Sequence, residues 1–300
     1  MERLSLERDE HYQNGLQVWK EKSGELDTNK EILRRHLPPF IRKQLQTSRD
    51  LGQFNVLSVG SGDGAVDLEV LQIVEDELQR ETKYRDMKIF NRAVEPSRRQ
   101  ISLYKKAIEN LSDSLTFDLR AQTFDEYTHE LSSKEEPTTK FDLVHFIHSL
   151  YYVDVEQVLK HCIEKEVREN GQVLVVVEGN DDIAALVNKL ANEHVNTSEL
   201  VKGKSEESCP DQVIKIAVKN GWKYEMFTQD SEIDVTEVFD EDSVKGNILL
   251  DFFAELVNFR ATAEKAHIEQ VLSAMRDQTT VRDGKCLGKK IDVVFVISKY

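Results

Sequence analysis

An α/β fold, with a mostly parallel sheet covered by helices on both faces, is predicted by three observations. Five short apolar runs alternate with helical segments between residues 54 and 179. The first run feeds straight into a glycine-rich turn, "NVLSVGSGDGAVDL", and the second ends in an acid, Glu95 of "VEPS". After Gly179 the alternation loosens, yet another apolar run, "KKIDVVFVISKY", closes the chain.

From Glu10 to Glu31 the chain is polar and helix-prone, and the break is expected at Pro38 and Pro39, because proline lacks the N–H of an interior turn. "FNVLSV" (54–59) has the nearly continuous apolar character of a strand buried on both faces. "DLEVLQIVEDELQ" places Leu68, Leu71, Val74 and Leu78 at helical spacing. "KIFNRAVEPS" reads as the second strand, followed by a helix through "RRQISLYKKAIENL", and "SLTFDLRAQTF" as a weaker third. "FDLVHFIHSLYYV" is the fourth; it runs into "DVEQVLKHCIEKEV", a helix expected to close at Asn170-Gly171. "QVLVVVEG" is the fifth. Beyond it, "DDIAALVNKLANEH" is helical, "KGKSEESCP" a loop, "DQVIKIAVKNG" a helix ending at Gly221, and "WKYEMFTQDSEIDV" a strand. "NILLDFFAELVNFRAT" reads as one apolar-faced helix before the final strand. The stretch between Asp181 and Lys290 exceeds what one more strand requires, so an elaboration shaping a pocket is expected there.

The chain of 300 residues carries 40 basic and 55 acidic side chains, a net charge of −15. That charge repels phosphate backbones and anionic lipid, so neither nucleic acid nor membrane is expected as a partner. Cys162, Cys209 and Cys286 show no metal-ligand spacing and read as free thiols of a reducing compartment. The sequence begins without an apolar leader, and no run approaches the roughly 18 apolar residues of a membrane span. The expectation is a cytoplasmic monomer with no metal; the sequons "NLS" and "NTS" are then accidental.

Gly60, Gly62 and Gly64 place bare backbone between a strand and a helix, where a ligand approaches the main chain and the helix N-terminus offers unpaired N–H groups. Glu95, ending the next strand, is placed to accept the ribose hydroxyls of a nucleotide-like ligand. "GSGDGA" also satisfies the dinucleotide form G-x-G-x-x-G/A with Ala65 last, so an NAD(P)-dependent oxidoreductase stays open. A cofactor-binding protein without turnover stays open too.

With "LSVGSGDGAVDL", "VEPSRRQ", "FDLVHFIHSLYYV" and "GNILLDFFAELVNFRATA" together, the chain resembles the histamine N-methyltransferase family over nearly its whole length. These are class I enzymes that use S-adenosylmethionine. The resemblance implies a Rossmann-like sheet of seven strands, mostly parallel, with an antiparallel last strand inserted as a hairpin partner. It implies an N-terminal helical segment capping the substrate (1–45), a cofactor-binding core (46–180) and a substrate-pocket elaboration with the closing strands (181–300). Carried over, Gly60, Gly62, Glu95, Gln100 and the backbone of Ile147 hold the cofactor, and Phe124 stands where the family offers a serine beside the adenine. Glu25, Tyr12, Tyr151, Tyr152 and Phe252 fall on substrate positions. The family's polar contacts depart at His148, for a glutamine, and at Lys290, for an asparagine. Its pocket tryptophans after the fifth strand are absent, with Ile183 and Val187 in that region.

The implied reaction is in-line methyl transfer to a neutral nitrogen of a small amine or imidazole. Such chemistry needs a free lone pair, and an imidazole with a pKa of about 6.5 has one near neutral pH. Glu25 would anchor an ammonium tail. His148 would accept the released proton or bond the substrate ring, whereas His145 reads as structural. A lysine at 290 favours a substrate bearing a carboxylate, such as histidine or carnosine.

Overall fold

The structure, a computed structural model, describes residues 4, 9–47, 52–133, 139–193 and 207–299. Its helices and strands follow in chain order. Helices α1 (Asp9–Ser23) and α2 (Glu25–Thr47) precede β1 (Gln53–Val59), α3 (Ala65–Gln79), β2 (Lys88–Val94) and α4 (Arg98–Ile108). Next come β3 (Leu115–Arg120), α5 (Phe124–Ser133), β4 (Phe141–Ile147), α6 (Val155–His161) and β5 (Val167–Glu178). Then follow α7 (Ile183–Asn192), α8 (Cys209–Asn220), β6 (Lys223–Asp234), α9 (Val244–Ala254), α10 (Phe259–Thr262), α11 (Lys265–Asp277), β7 (Thr279–Arg282) and β8 (Lys285–Ser298). Most of the predicted loop "KGKSEESCP" and the sequon "NTS" lie outside the described residues.

The sheet runs in the order β3-β2-β1-β4-β5-β8-β6, with β7 pairing antiparallel to β8. The first five strands pair parallel with one another, as their apolar runs require: in β1, every residue from Phe54 to Val59 is buried. The strand order reverses beside β1, so the turns after β1 and β4 leave the sheet at a topological switch point. Insertion of the chain's last strand between β5 and β6 agrees with the expected fold, while the short β7 makes the sheet eight-stranded where seven strands were expected.

Four local expectations are corrected. The helical break comes at Gly24 (φ 59), where the amides of Asp27 and Thr28 both donate to its carbonyl, and not at Pro38 and Pro39, which lie inside α2. Each interior proline costs about 3 kcal/mol. Leu37, Phe40, Ile41 and Leu45 are buried on the same helix, each contributing about 1.5–3 kcal/mol. Arg34 and Arg35, whose carbonyls lose those donors, are exposed to water.

Asn170 and Gly171 do not close a helix. They form a bulge in β5, where the pairing jumps from Phe141↔Val167 to Leu143↔Gln172. Gly171 is required there, since a Cβ would lie 2.8 Å from the carbonyl oxygen of Phe141. The run "NILLDFFAELVNFRAT" is two helices rather than one. The Asp251 carboxylate accepts the amides of Asn258 and Phe259 at 2.8 Å each and so starts α10, after Glu255 has turned left-handed (φ 53). Finally, α11 lies in a stretch for which no helix was expected.

The described chain divides into two compact units: a larger one from 29–177, 207–227 and 293–299, and a smaller one from 4–28, 178–193 and 228–292. The larger has a core that includes Phe54, Val56, Val74, Leu143 and Val294. The smaller is centred on Trp19, Val187, Ile233, Leu250, Phe253 and Met275. Among the described residues no helix is long and apolar enough to cross a membrane, and no group of three or more His, Cys, Asp or Glu is placed to hold a metal ion.

Candidate functional site

In the larger unit, β1 ends at Val59 and the chain turns through Gly60, Gly62 and Gly64 (φ 73, 56 and 83) into α3. The outer two glycines are demanded by packing. A Cβ on Gly60 would lie 2.3 Å from the Cβ of Ser149, whose hydroxyl donates to the Val59 carbonyl at 2.5 Å. A Cβ on Gly64 would strike the ring of Tyr104 at 2.3 Å. Gly62 differs: a Cβ there would meet nothing within 4 Å, so its bare backbone borders open space.

The loop also fixes Glu95. The Gly62 amide donates to Oε2 at 3.0 Å and the Ser97 amide to Oε1 at 2.8 Å. Burial pushes the carboxyl's pKa up, against the pull of those two amides. A carboxylate offers about four lone-pair sites, so each oxygen keeps one to receive a hydroxyl. Nearby polar groups are orphaned. The Ser61 hydroxyl within the loop and the Gln122 amide nitrogen after β3 are buried with no hydrogen-bond partner among the described residues. Buried polar groups of this kind point to a missing polar ligand or ordered water.

Beneath the loop lies a buried polar network, in which Asn91 Oδ1 and His145 Nε2 have no hydrogen-bond partner among the described residues. Asp67, in the first turn of α3, accepts from Ser58 (2.8 Å) and from the Tyr104 hydroxyl (3.0 Å), and Asn91 donates to Tyr104 (2.9 Å). The ring packed against Gly64 is thus held from behind. Burial raises the Asp67 pKa to about 7 and lowers that of His145 to about 3. His145, with Nε2 3.8 Å from Asp67, is a neutral core residue, in keeping with a structural role.

Gln100 follows on α4, with its backbone N–H donating to the Ser97 hydroxyl at 3.4 Å. Ile147 ends β4, half-buried against the core. Phe124 begins α5 and is only 5% exposed, its ring tilted on Tyr127 and edge-on to Phe146 and His161. His148 turns the chain out of β4 in a left-handed conformation (φ 52), a strained state for a residue with a side chain. Its Nε2 lies 3.2 Å from Asn29 Oδ1 and its Nδ1 3.3 Å from the Tyr151 hydroxyl. Tyr151 meets Tyr152 edge-on at 6.1 Å, and Tyr152 is 49% exposed.

The smaller unit brings together the other predicted residues. Phe252 sits between Tyr12 (centroids 5.8 Å apart) and Trp19 (5.9 Å), and Gly15 makes room for it, since a Cβ there would lie 2.7 Å from its ring. The Trp19 indole donates to buried Glu25. Lys290 is fully buried (0% exposed), bonded to Asp292 at 2.6 Å and lying 5.6 Å over the Trp19 ring. Burial opposes its charge, yet Asp292, Glu178 and Glu25 more than offset this and raise its pKa. Burial, with Asp182, Glu25 and Asp292 nearby, raises that of Glu178 well above the carboxylate range. Asp182 rises to about 6 through burial, while accepting the amides of Ala184 and Ile291. Ile183 and Val187 are core residues of this unit.

Sequence reasoning missed Asn29, Ser149, Gln122, Trp19, Glu178 and Asp292. Trp19 had a usable signal, a tryptophan in an otherwise largely polar N-terminal helix. Asn29 and Ser149 have partners remote in the chain, the Gln122 amide nitrogen has none among the described residues, and Glu178 and Asp292 stand beside apolar residues of their strands.

No protein-family model matches the chain. Histamine N-methyltransferase B of Xenopus laevis is 26% identical over 292 residues, covering 95% of this chain and 94% of that protein. The enzyme of Mus musculus is 27% identical over 270 residues (86% and 84%), and that of Danio rerio 26% over 293 (95% and 94%). Among solved structures, loganic acid methyltransferase with SAH superposes with a TM-score of 0.52 at 9% identity, covering 96% of this chain and 94% of that one. The latter likeness is one of fold, the Rossmann-like fold of class I methyltransferases.

Proposed function

This chain is a distant homologue of the histamine N-methyltransferases, and on that premise we propose that it is an S-adenosylmethionine-dependent N-methyltransferase acting on a small amine or imidazole. The observation that carries the reading is the cradle after β1. Gly62 leaves open space beside a carboxylate, Glu95, that two backbone amides hold in place, and the Ser61 hydroxyl is left without a partner. These residues fit an adenosine: Glu95 accepts the ribose hydroxyls, while Gly60, Gln100, Ile147 and Phe124 complete the wall around the group.

When bound, S-adenosylmethionine supplies a methyl group on a positively charged sulfur, an electrophile that needs no covalent help from the protein. The chain's own residues orient the substrate, exclude water and take up a proton. In the larger unit Tyr151 and Tyr152 supply aromatic faces, which also favour cations. His148 takes the proton released on alkylation.

A carboxylated imidazole was the alternative that Lys290 favoured. The charge around that lysine supports a bare amine instead. Its ammonium is bonded to Asp292, and Glu178 and Glu25 lie near enough to raise its pKa, so it offers little to a second carboxylate.

Titration calorimetry with S-adenosylhomocysteine is expected to give saturable binding that Glu95→Ala weakens by about tenfold or more, the loss of hydrogen bonds to a charged group. A screen of amines and imidazoles with labelled cofactor is expected to favour histamine-like amines over histidine and carnosine. Absence of binding heat would sink the proposal, and heat without any methylated product would leave a binding protein.

A further inference from the structure

We infer that Asn29, His148 and Tyr151 form a proton relay, in which Asn29 sets the imidazole tautomer and the Tyr151 hydroxyl carries the substrate's proton to His148. This deepens the methyltransferase reading and rests on it. The geometry lies wholly in the larger unit. Asn29 is 2% exposed on α2 and presents its amide oxygen 3.2 Å from His148 Nε2. An amide oxygen only accepts, so Nε2 carries the hydrogen. The lone pair of the neutral ring is then on Nδ1, which faces the Tyr151 hydroxyl at 3.3 Å, and that hydroxyl donates to it.

This pattern tolerates both charge states of the ring. As an imidazolium, His148 donates Nε2–H to Asn29 as before and Nδ1–H to the Tyr151 oxygen, with no movement of heavy atoms. Alkylation leaves a positive charge on the substrate; an N–H bond of the alkylated amine, or of the other ring nitrogen where the substrate is an imidazole, breaks and its electron pair stays on that nitrogen. The Tyr151 oxygen takes that proton while its own passes to the Nδ1 lone pair. The phenol is regenerated and the ring becomes an imidazolium, which later returns its proton to water. His148 makes both contacts from a left-handed backbone (φ 52). Tyr151 is then a catalytic residue and Asn29 a positioning residue.

The test has a spectroscopic arm and a kinetic arm, both on the full chain. In protein labelled with ¹⁵N-histidine, the His148 signals, assigned by their loss in His148→Gln, are expected to show a pyridine-like Nδ1 and a pyrrole-like Nε2. Tyr151→Phe is expected to lower kcat about 10²-fold with KM and S-adenosylhomocysteine affinity little changed. Asn29→Asp keeps the acceptor but adds a charge, which favours the imidazolium. It should move the acid limb of the kcat profile to higher pH by about one unit. A pyridine-like Nε2 in the wild type, or an unmoved profile in Asn29→Asp, overturns the relay while the methyltransferase reading stands. If the wild type methylates no amine, the reading itself fails and the relay with it.

Discussion

The glycine cradle of the larger unit and the buried charge cluster of the smaller one solve different problems with different materials. The cradle is built from backbone: left-handed glycines, the amides of Gly62 and Ser97, and one carboxylate between them. The cluster is built from side chains, with Lys290 amid Asp292, Glu178 and Glu25 under the ring of Trp19. Backbone sites write themselves into a short contiguous motif, because the conformations they need select glycine. Side-chain clusters collect residues spread over most of the chain, and the charge state of each member depends on the others. A residue such as Lys290 therefore reads one way alone and another way beside Asp292.

The largest effect that would break this contrast concerns Lys290. Lys290→Met leaves the buried acids uncompensated and is expected to lower stability by about 3–5 kcal/mol, whereas Lys290→Met with Asp292→Leu recovers most of the loss. Urea denaturation measures both; equal stabilities for the single and double variants would show that the ammonium does not hold those acids.

Within the cradle, the glycines should separate. Gly60→Ala forces a Cβ against Ser149 and is expected to cost about 1–3 kcal/mol for overpacking, beyond the left-handed strain. Gly62→Ala meets no protein atom, so its stability cost is only the ~1–2 kcal/mol of a left-handed alanine. Its larger consequence should be weaker S-adenosylhomocysteine binding. Parallel thermal melts and calorimetry on the two variants test this, and equal losses in both assays would remove the distinction.

The smallest effect is one of pH. Buried His145 has its pKa depressed to about 3, so the stability it contributes is present above about 6.5 and lost as pH falls. Asp67, raised to about 7, acts oppositely: its contribution is full in acid and lost as pH rises through about 7. The two slopes offset each other in the wild type. Asp67→Asn removes one of them, so the variant should lose stability more steeply between pH 6.5 and 5, by up to about 1.4 kcal/mol per pH unit. Melting curves at several pH values would read this, and parallel curves for the two proteins would refute it.

Legibility followed the same division. The strands of the parallel sheet were readable because burial on both faces forces continuous apolar runs, and Gly221, left-handed at φ 68, closes its helix where expected. Pro38 and Pro39 misled, because a local rule about proline was overridden by the core that Leu37, Phe40 and Ile41 reach on the same helix. Asn170-Gly171 misled because a left-handed pair serves a strand bulge as well as a helix end. Asn29 carried no signal, since its partner His148 lies 119 residues away.

The sequence by itself determined the alternation of strands and helices, the glycine turn after β1 and the acid at the end of β2. Each is a local demand of the backbone, and the identities of neighbouring residues record it. Only the tertiary structure decided that Ser149 and Tyr104 seat the outer glycines, that Asn29 and Tyr151 grip His148, and that Asp292 claims the charge of Lys290. Those outcomes depend on distances between groups, and hydrogen bonds and charges act through space rather than along the chain.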